Sequence, residues 1–163
     1  MRRAVLLSIC LSLVIGLQVN IAAAGKFDTI ISAADVEKAT GLTGVKQVPR
    51  QKAVEGITEN KFLTGDINFV RSDNQPILEI QFRPSFAFDQ FKGDSGFIKA
   101  PVPGLGEEAY TSPSFDPQTT VNFKKGSYFV AVSTHINPKD KTKTMLKIDQ
   151  VIAIAKTIAS RMQ

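Results

Sequence analysis

The sequence predicts an α+β domain: an antiparallel sheet of about six strands with helices packed mainly on one face. Three observations carry this reading. The chain ends in MLKIDQVIAIAKTIASRM, where Ile148, Val151, Ile152, Ala155, Ile158, Ala159 and Met162 recur at spacings of three and four. That spacing places them on one stripe of a helix, which needs a sheet or other helices to cover it. Between Ile77 and Arg83, Leu78, Ile80 and Phe82 alternate with Glu79 and Gln81, the pattern of a strand with one buried and one wet face. Thr119–Lys124 and Tyr128–Thr134 are β-rich runs joined by Lys125-Gly126-Ser127, a tight turn.

The amino-terminal stretch stands outside the fold. Met1-Arg2-Arg3 is basic, and Ala4 to Val19 is apolar apart from Ser8, Ser12, Gly16 and Gln18. Ala22-Ala23-Ala24 follows, with Ala22 and Ala24 supplying the small side chains that signal peptidase accepts. Residues 1–24 are therefore read as a secretory signal peptide, cleaved before Gly25. The apolar run is slightly short for a membrane span, which argues against an uncleaved anchor. Cys10, the only cysteine, falls inside this segment. The residue before it is the bulky Ile9, so lipidation is not favoured. The expected mature chain has no cysteine, can form no disulfide, and tolerates an oxidising compartment without using it. Its localisation is expected to be periplasmic or extracellular.

Residues 25–163 are expected to form one domain. The whole chain carries 20 basic and 15 acidic residues, a net charge of +5, and loss of Arg2 and Arg3 brings this to +3. That excess is too small, and too poorly interleaved with aromatics, to indicate nucleic acid. Membrane contact is expected only through the signal peptide.

In chain order, Phe27–Ile31 leads into a helix near Ala33–Thr40. Ser32 is the candidate cap, Asp35 lies in the first turn, and Gly41 is the stop. Val45–Glu55 reads as a bent strand or strand pair broken by Pro49. Phe62–Arg71 is a second strand, and Ser72-Asp73-Asn74-Gln75-Pro76 has turn chemistry. Pro84-Ser85 starts a short helix, Phe86–Lys92, ending at Gly93. A Gly- and Pro-rich loop runs through Gly106, Glu108–Ser112 is extended, and Pro113–Gln118 is loop. Asn137–Thr144 reads as a polar, lysine-rich connection before the last helix. Ile67-Asn68-Phe69-Val70-Arg71 echoes Val121-Asn122-Phe123-Lys124-Lys125. Each is followed by a turn, a strand and a helix, so the domain reads as two βββα halves, through duplication or convergent hairpin patterning.

The helix–Gly opening, the central hairpin, the loop Val102-Pro103-Gly104-Leu105-Gly106-Glu107-Glu108-Ala109-Tyr110, the second hairpin and the terminal amphipathic helix resemble small exported bacterial domains of unknown function. Their layout is similar to the Mog1/PsbP-like and serine/threonine-kinase sensor-domain types. The paired cysteines common in some of those families are missing. The resemblance implies a binding or sensing role and transfers no functional residue.

Each stretch with candidate chemistry has a plainer reading. Gly93-Asp94-Ser95-Gly96 matches the surroundings of a serine-protease nucleophile. The only histidine, His135, follows the serine, against that family's order, and the chain is too short for a double barrel. A helix-stop loop explains the motif better. His135 has no second histidine or mature-chain cysteine with which to hold a transition metal, so no metal site is expected. Gly104-x-Gly106 precedes Glu107 and Glu108, which would repel phosphate, and a turn is the simpler reading. Asp89, Asp94, Glu107 and Glu108 are the carboxylates available for a glycosidase-type pair. Lys139, Lys141, Lys143 and Lys147 form a basic run suited either to an anionic polymer or membrane surface, or to a solvated loop. Phe86, Phe88, Phe91 and Phe97 line a pocket or belong to the core.

No catalytic set assembles from these residues, and no cofactor is implied. The expectation is an exported, non-enzymatic binding or interaction module of the cell envelope, with a protein, lipid or small-molecule ligand. The alternatives are an exported carboxylate-dependent hydrolase and an envelope structural or assembly factor.

Overall fold

In a computed structural model, the residues described are 27–48, 65–93, 100–112 and 119–163. The elements run α1 (Ala33–Thr40), β1 (Lys46–Val48), β2 (Gly65–Val70), β3 (Pro76–Pro84), α2 (Phe86–Gly93), β4 (Ala100–Pro101), β5 (Glu108–Ser112), β6 (Thr120–Lys125), β7 (Tyr128–Thr134), β8 (Ile136–Asn137), β9 (Asp140–Thr144) and α3 (Ile148–Arg161). β1 to β7 form one sheet in the order β1-β2-β3-β7-β6-β5-β4, and every neighbouring pair is antiparallel. The α+β class and the antiparallel sheet are as the alternation predicted.

Strand alternation divides the sheet into two faces. Ile67 and Phe69, Leu78, Ile80 and Phe82, Val121 and Phe123, and Val130 and Val132 all point to the first face and are fully or almost fully buried. α1 and α3 cover that face, with Val36 from α1 and Val151, Ile154, Ala155 and Ile158 from α3 joining the same core. The predicted stripe of α3 needs a small correction. Ile154 is fully buried, whereas Ile148, Ile152 and Ala159 are only partly covered. The buried line runs Val151, Ile154 and Ala155, Ile158, Met162, still at spacings of three and four.

The second face has its own smaller cluster, in which Ala87 and Phe88 of α2 meet Tyr110 and Phe129. Phe88 lies 5.3 Å from the Tyr110 ring and 5.5 Å from Phe129 between centroids. The third strands of the two predicted halves, β3 and β7, do pair edge to edge, while α2 and α3 take opposite faces.

α1 starts as expected. Ser32 Oγ accepts from the Asp35 amide (3.2 Å), and Asp35 Oδ2 accepts from the Ser32 amide (2.8 Å), a reciprocal capping box. Gly41 ends the helix at φ 73°, where a Cβ would be strained.

Two connections differ from the reading. Ala100 and Pro101 pair with Thr111 and Tyr110 as a short strand rather than loop. The lysine-rich connection is a two-stranded ribbon, β8 with β9. Its turn is built by Asn137, whose Oδ1 accepts from the Lys139 amide (2.9 Å), with Pro138 between them. With no buried apolar residue, β9 offers no hydrophobic alternation to read. The strand expected over 49–55, the amino-terminal part of that expected over 62–71, and Asp94, Ser95 and Phe97 lie outside the described residues, as does the cleavage site Ala22, Ala24 and Gly25.

Candidate functional site

At one end of the sheet, the start of the described chain meets its carboxyl terminus. Phe27 stacks on Phe82 (4.0 Å between centroids, 3° between planes) and receives the edge of Tyr128 (4.9 Å, 83°). Gly65 on β2 permits this, because a Cβ there would lie 2.9 Å from the Phe27 ring. Outside the aromatic trio lies an open depression of about 390 Å³, lined by Phe27, Thr29, Ile30, Tyr128, Arg161, Met162 and Gln163.

Arg161 fixes one wall. Its Nη1 and Nη2 each donate to one Asp35 oxygen at 2.7 Å, and Nη1 also donates to the Ile30 carbonyl at 3.0 Å. This fork joins the end of α3 to the start of α1 with bidentate geometry. Its hydrogen bonds, with the Ser32 amide and hydroxyl next, hold the Asp35 carboxyl well below the usual carboxylate range. The same contact raises Arg161 above its ordinary value. The charge on the wall is therefore fixed and internally paired. Phe27, Ile30, Tyr128 and Met162 give the depression an apolar and aromatic floor, and among the described residues no Asp, Glu or His side chain lines it.

The described candidate carboxylates, Asp89, Glu107 and Glu108, do not line this depression. Glu107 Oε1 accepts from the Gly126 amide (2.7 Å) and so braces the β6–β7 turn. Glu108 pairs with Lys92, tying β5 to α2. Asp89 lies exposed in the first turn of α2. Gly104 and Gly106 have φ of 70° and 61°, and Glu107 donates its amide to the Lys124 carbonyl (2.8 Å), so this segment is a turn packed on β6. His135 acts through its backbone. Its amide donates to Ile77 and its carbonyl accepts from Met145 (2.7 Å). Gly93 closes α2. Phe88 is core, whereas Phe86 and Phe91 are 55% and 43% exposed. Among the described residues, no group of three or more His, Cys, Asp or Glu is placed to hold a metal ion. Among them, no helix is long and apolar enough to cross a membrane.

The second face of the sheet, beyond α2, is polar and internally bonded. Arg83 donates to Gln81, which donates to Glu79, and the Arg83 guanidinium lies 4.9 Å from the centre of the Phe91 ring. Asn122 donates to Ser112 (2.8 Å), and the Thr120 and Ser133 hydroxyls are 3.0 Å apart. These side chains form short runs of hydrogen bonds along the face.

The sequence did not point to the depression, because its lining comes from three distant stretches. Only Met162 carried a signal, as the last member of the α3 stripe. Fold and site together define an α+β domain with an apolar-floored depression. Compared with known proteins, the chain matches no family model, no curated protein and no solved structure.

Proposed function

We propose that residues 25–163 are the mature form of an exported, non-enzymatic binding module that takes an apolar or amphiphilic small molecule at the depression between Phe27, Tyr128 and Met162. The observation that carries this reading is the mixed chemistry of the lining, in which Phe27, Ile30, Tyr128 and Met162 stand beside the polar Thr29 and Gln163 and one internally paired arginine. Pockets for small ligands have volumes of about 300 to 1,000 Å³ and combine apolar walls with a few placed polar groups. The depression falls within that range. A carboxylate-dependent hydrolase would need two carboxylates facing a common void. Glu107 and Glu108 are instead committed to the Gly126 amide and to Lys92.

The test is native mass spectrometry of the protein recovered from its exported fraction. A mass beginning at Gly25 and a non-covalent adduct that is lost in Ile30→Asp are expected. A mass beginning at Met1 refutes export with cleavage. An adduct that survives Ile30→Asp refutes the site, and a bare chain whose melting temperature long-chain fatty acids do not move refutes an apolar ligand.

A further inference from the structure

We infer that the β8–β9 ribbon is a basic finger that docks on an anionic phospholipid surface. The ribbon lies at the end of the sheet opposite the depression, because β7 runs from Tyr128 in the depression to Thr134 at the ribbon's foot. From His135 to Met145 no residue is buried, and in this excursion Met145, at its foot, packs against the core. A two-stranded ribbon is marginal by itself in water, yet this one is firmly rooted. The buried Thr134 hydroxyl donates to the Ile77 carbonyl and accepts from the Leu146 amide, both at 3.0 Å. Met145 donates to the His135 carbonyl at 2.7 Å.

What the ribbon presents is charge. Lys139 stands in its turn, and Lys141 and Lys143 alternate onto one side of β9. Asp140, the one acid in the ribbon, is held by the Thr142 amide and hydroxyl and by Lys143 (2.8 Å). Lys139, Lys141 and Lys147 are exposed and have no carboxylate partner among the described residues. Lys147 immediately precedes α3, where the helix dipole disfavours a cation. Asp149 lies in the first turn of the same helix.

Two features choose the occupant. The ribbon forms a two-stranded sheet of its own, separate from the seven-stranded one, and carries its lysines at the turn and along one side of β9, an arrangement that suits a plane. Its cations are all lysines, compact point charges that suit a diffuse negative surface rather than the bidentate capture of a single phosphate. Each lysine near such a surface is worth about fivefold in binding, and salt screens the attraction.

The test is flotation of the mature chain with phosphatidylcholine vesicles, with and without phosphatidylglycerol, at low and high salt. Binding is expected only with phosphatidylglycerol and only at low salt. The triple variant Lys139→Gln, Lys141→Gln, Lys143→Gln should bind about 25- to 125-fold more weakly, the lower figure applying if Lys143, paired with Asp140, contributes little. Its unfolding midpoint should be unchanged, because none of the three is buried. Ile30→Asp should bind vesicles normally, which separates this proposal from the depression. Equal binding to neutral vesicles, retention by the triple variant, or complete displacement by soluble polyphosphate at matched charge would each overturn it.

Discussion

Replacing Thr134 by Val tests the rooting of the ribbon at a single atom. The side chain keeps its shape and loses one hydroxyl. Thr134 is 5% exposed and Leu146 is 1% exposed, so water cannot substitute for the lost group. The Ile77 carbonyl still accepts from the His135 amide (3.3 Å), but the Leu146 amide loses its acceptor. An unsatisfied buried donor costs about 1–3 kcal/mol. The added methyl returns up to about 0.8 kcal/mol. The net loss is about 0.2–3 kcal/mol, or up to roughly 10 °C in Tm for a domain of this size. Urea unfolding should show a lower midpoint with an unchanged slope. Amide exchange gives the sharper readout, since Leu146 and Met145 should lose protection in Thr134→Val and keep it in Thr134→Ser. If Val leaves exchange at Leu146 as slow as in the parent, the hydroxyl is not what holds the ribbon's foot.

Two further outcomes follow from the turns and the helix tie. Gly106→Ala should cost more than about 3 kcal/mol, because φ is positive and the new Cβ would collide with the Lys124 carbonyl oxygen. Gly104→Ala, with a similar φ but open space, should cost about 1 kcal/mol, and equal urea midpoints for the two would refute the collision. Asp35→Asn should lose about 0.5–1.5 kcal/mol at neutral pH, by weakening the cap and a half-exposed ion pair. Because the folded-state pKa of Asp35 is depressed from 3.8, its contribution is present above about pH 4 and is lost as pH falls through the folded value. The stability difference between parent and variant should therefore shrink in acid, and a constant difference would contradict the assignment.

Much of the fold was legible because it rests on local rules. The Ser32, Asp35 and Gly41 signals set both ends of α1. Alternation located β3, and the Gly126 turn located the β6–β7 hairpin. The ribbon was not legible, since β9 is polar on both sides, β8 is only two residues long, and the pair is specified by the Asn137-Pro138 turn and the Thr134 anchor. Nor could Phe88 and Phe91, three residues apart, reveal that α2 takes the face opposite α3. The depression escaped for a different reason: nothing local in residues 27–30 indicates that Tyr128 and Met162 will stand beside them.

The last helix also governs when the domain can form. α3 supplies Val151, Ile154, Ala155 and Ile158 to the first-face core. It is fastened to α1 at both ends, by Gln150 to the Thr40 carbonyl and by Arg161 to Asp35, across sequence separations of 110 and 126 residues. Contacts this distant in sequence form late and cannot form at all before the carboxyl terminus is synthesised. A chain emerging amino terminus first therefore lacks the α3 part of this cover until α3 has been made. Full closure of that face comes only when α3 docks.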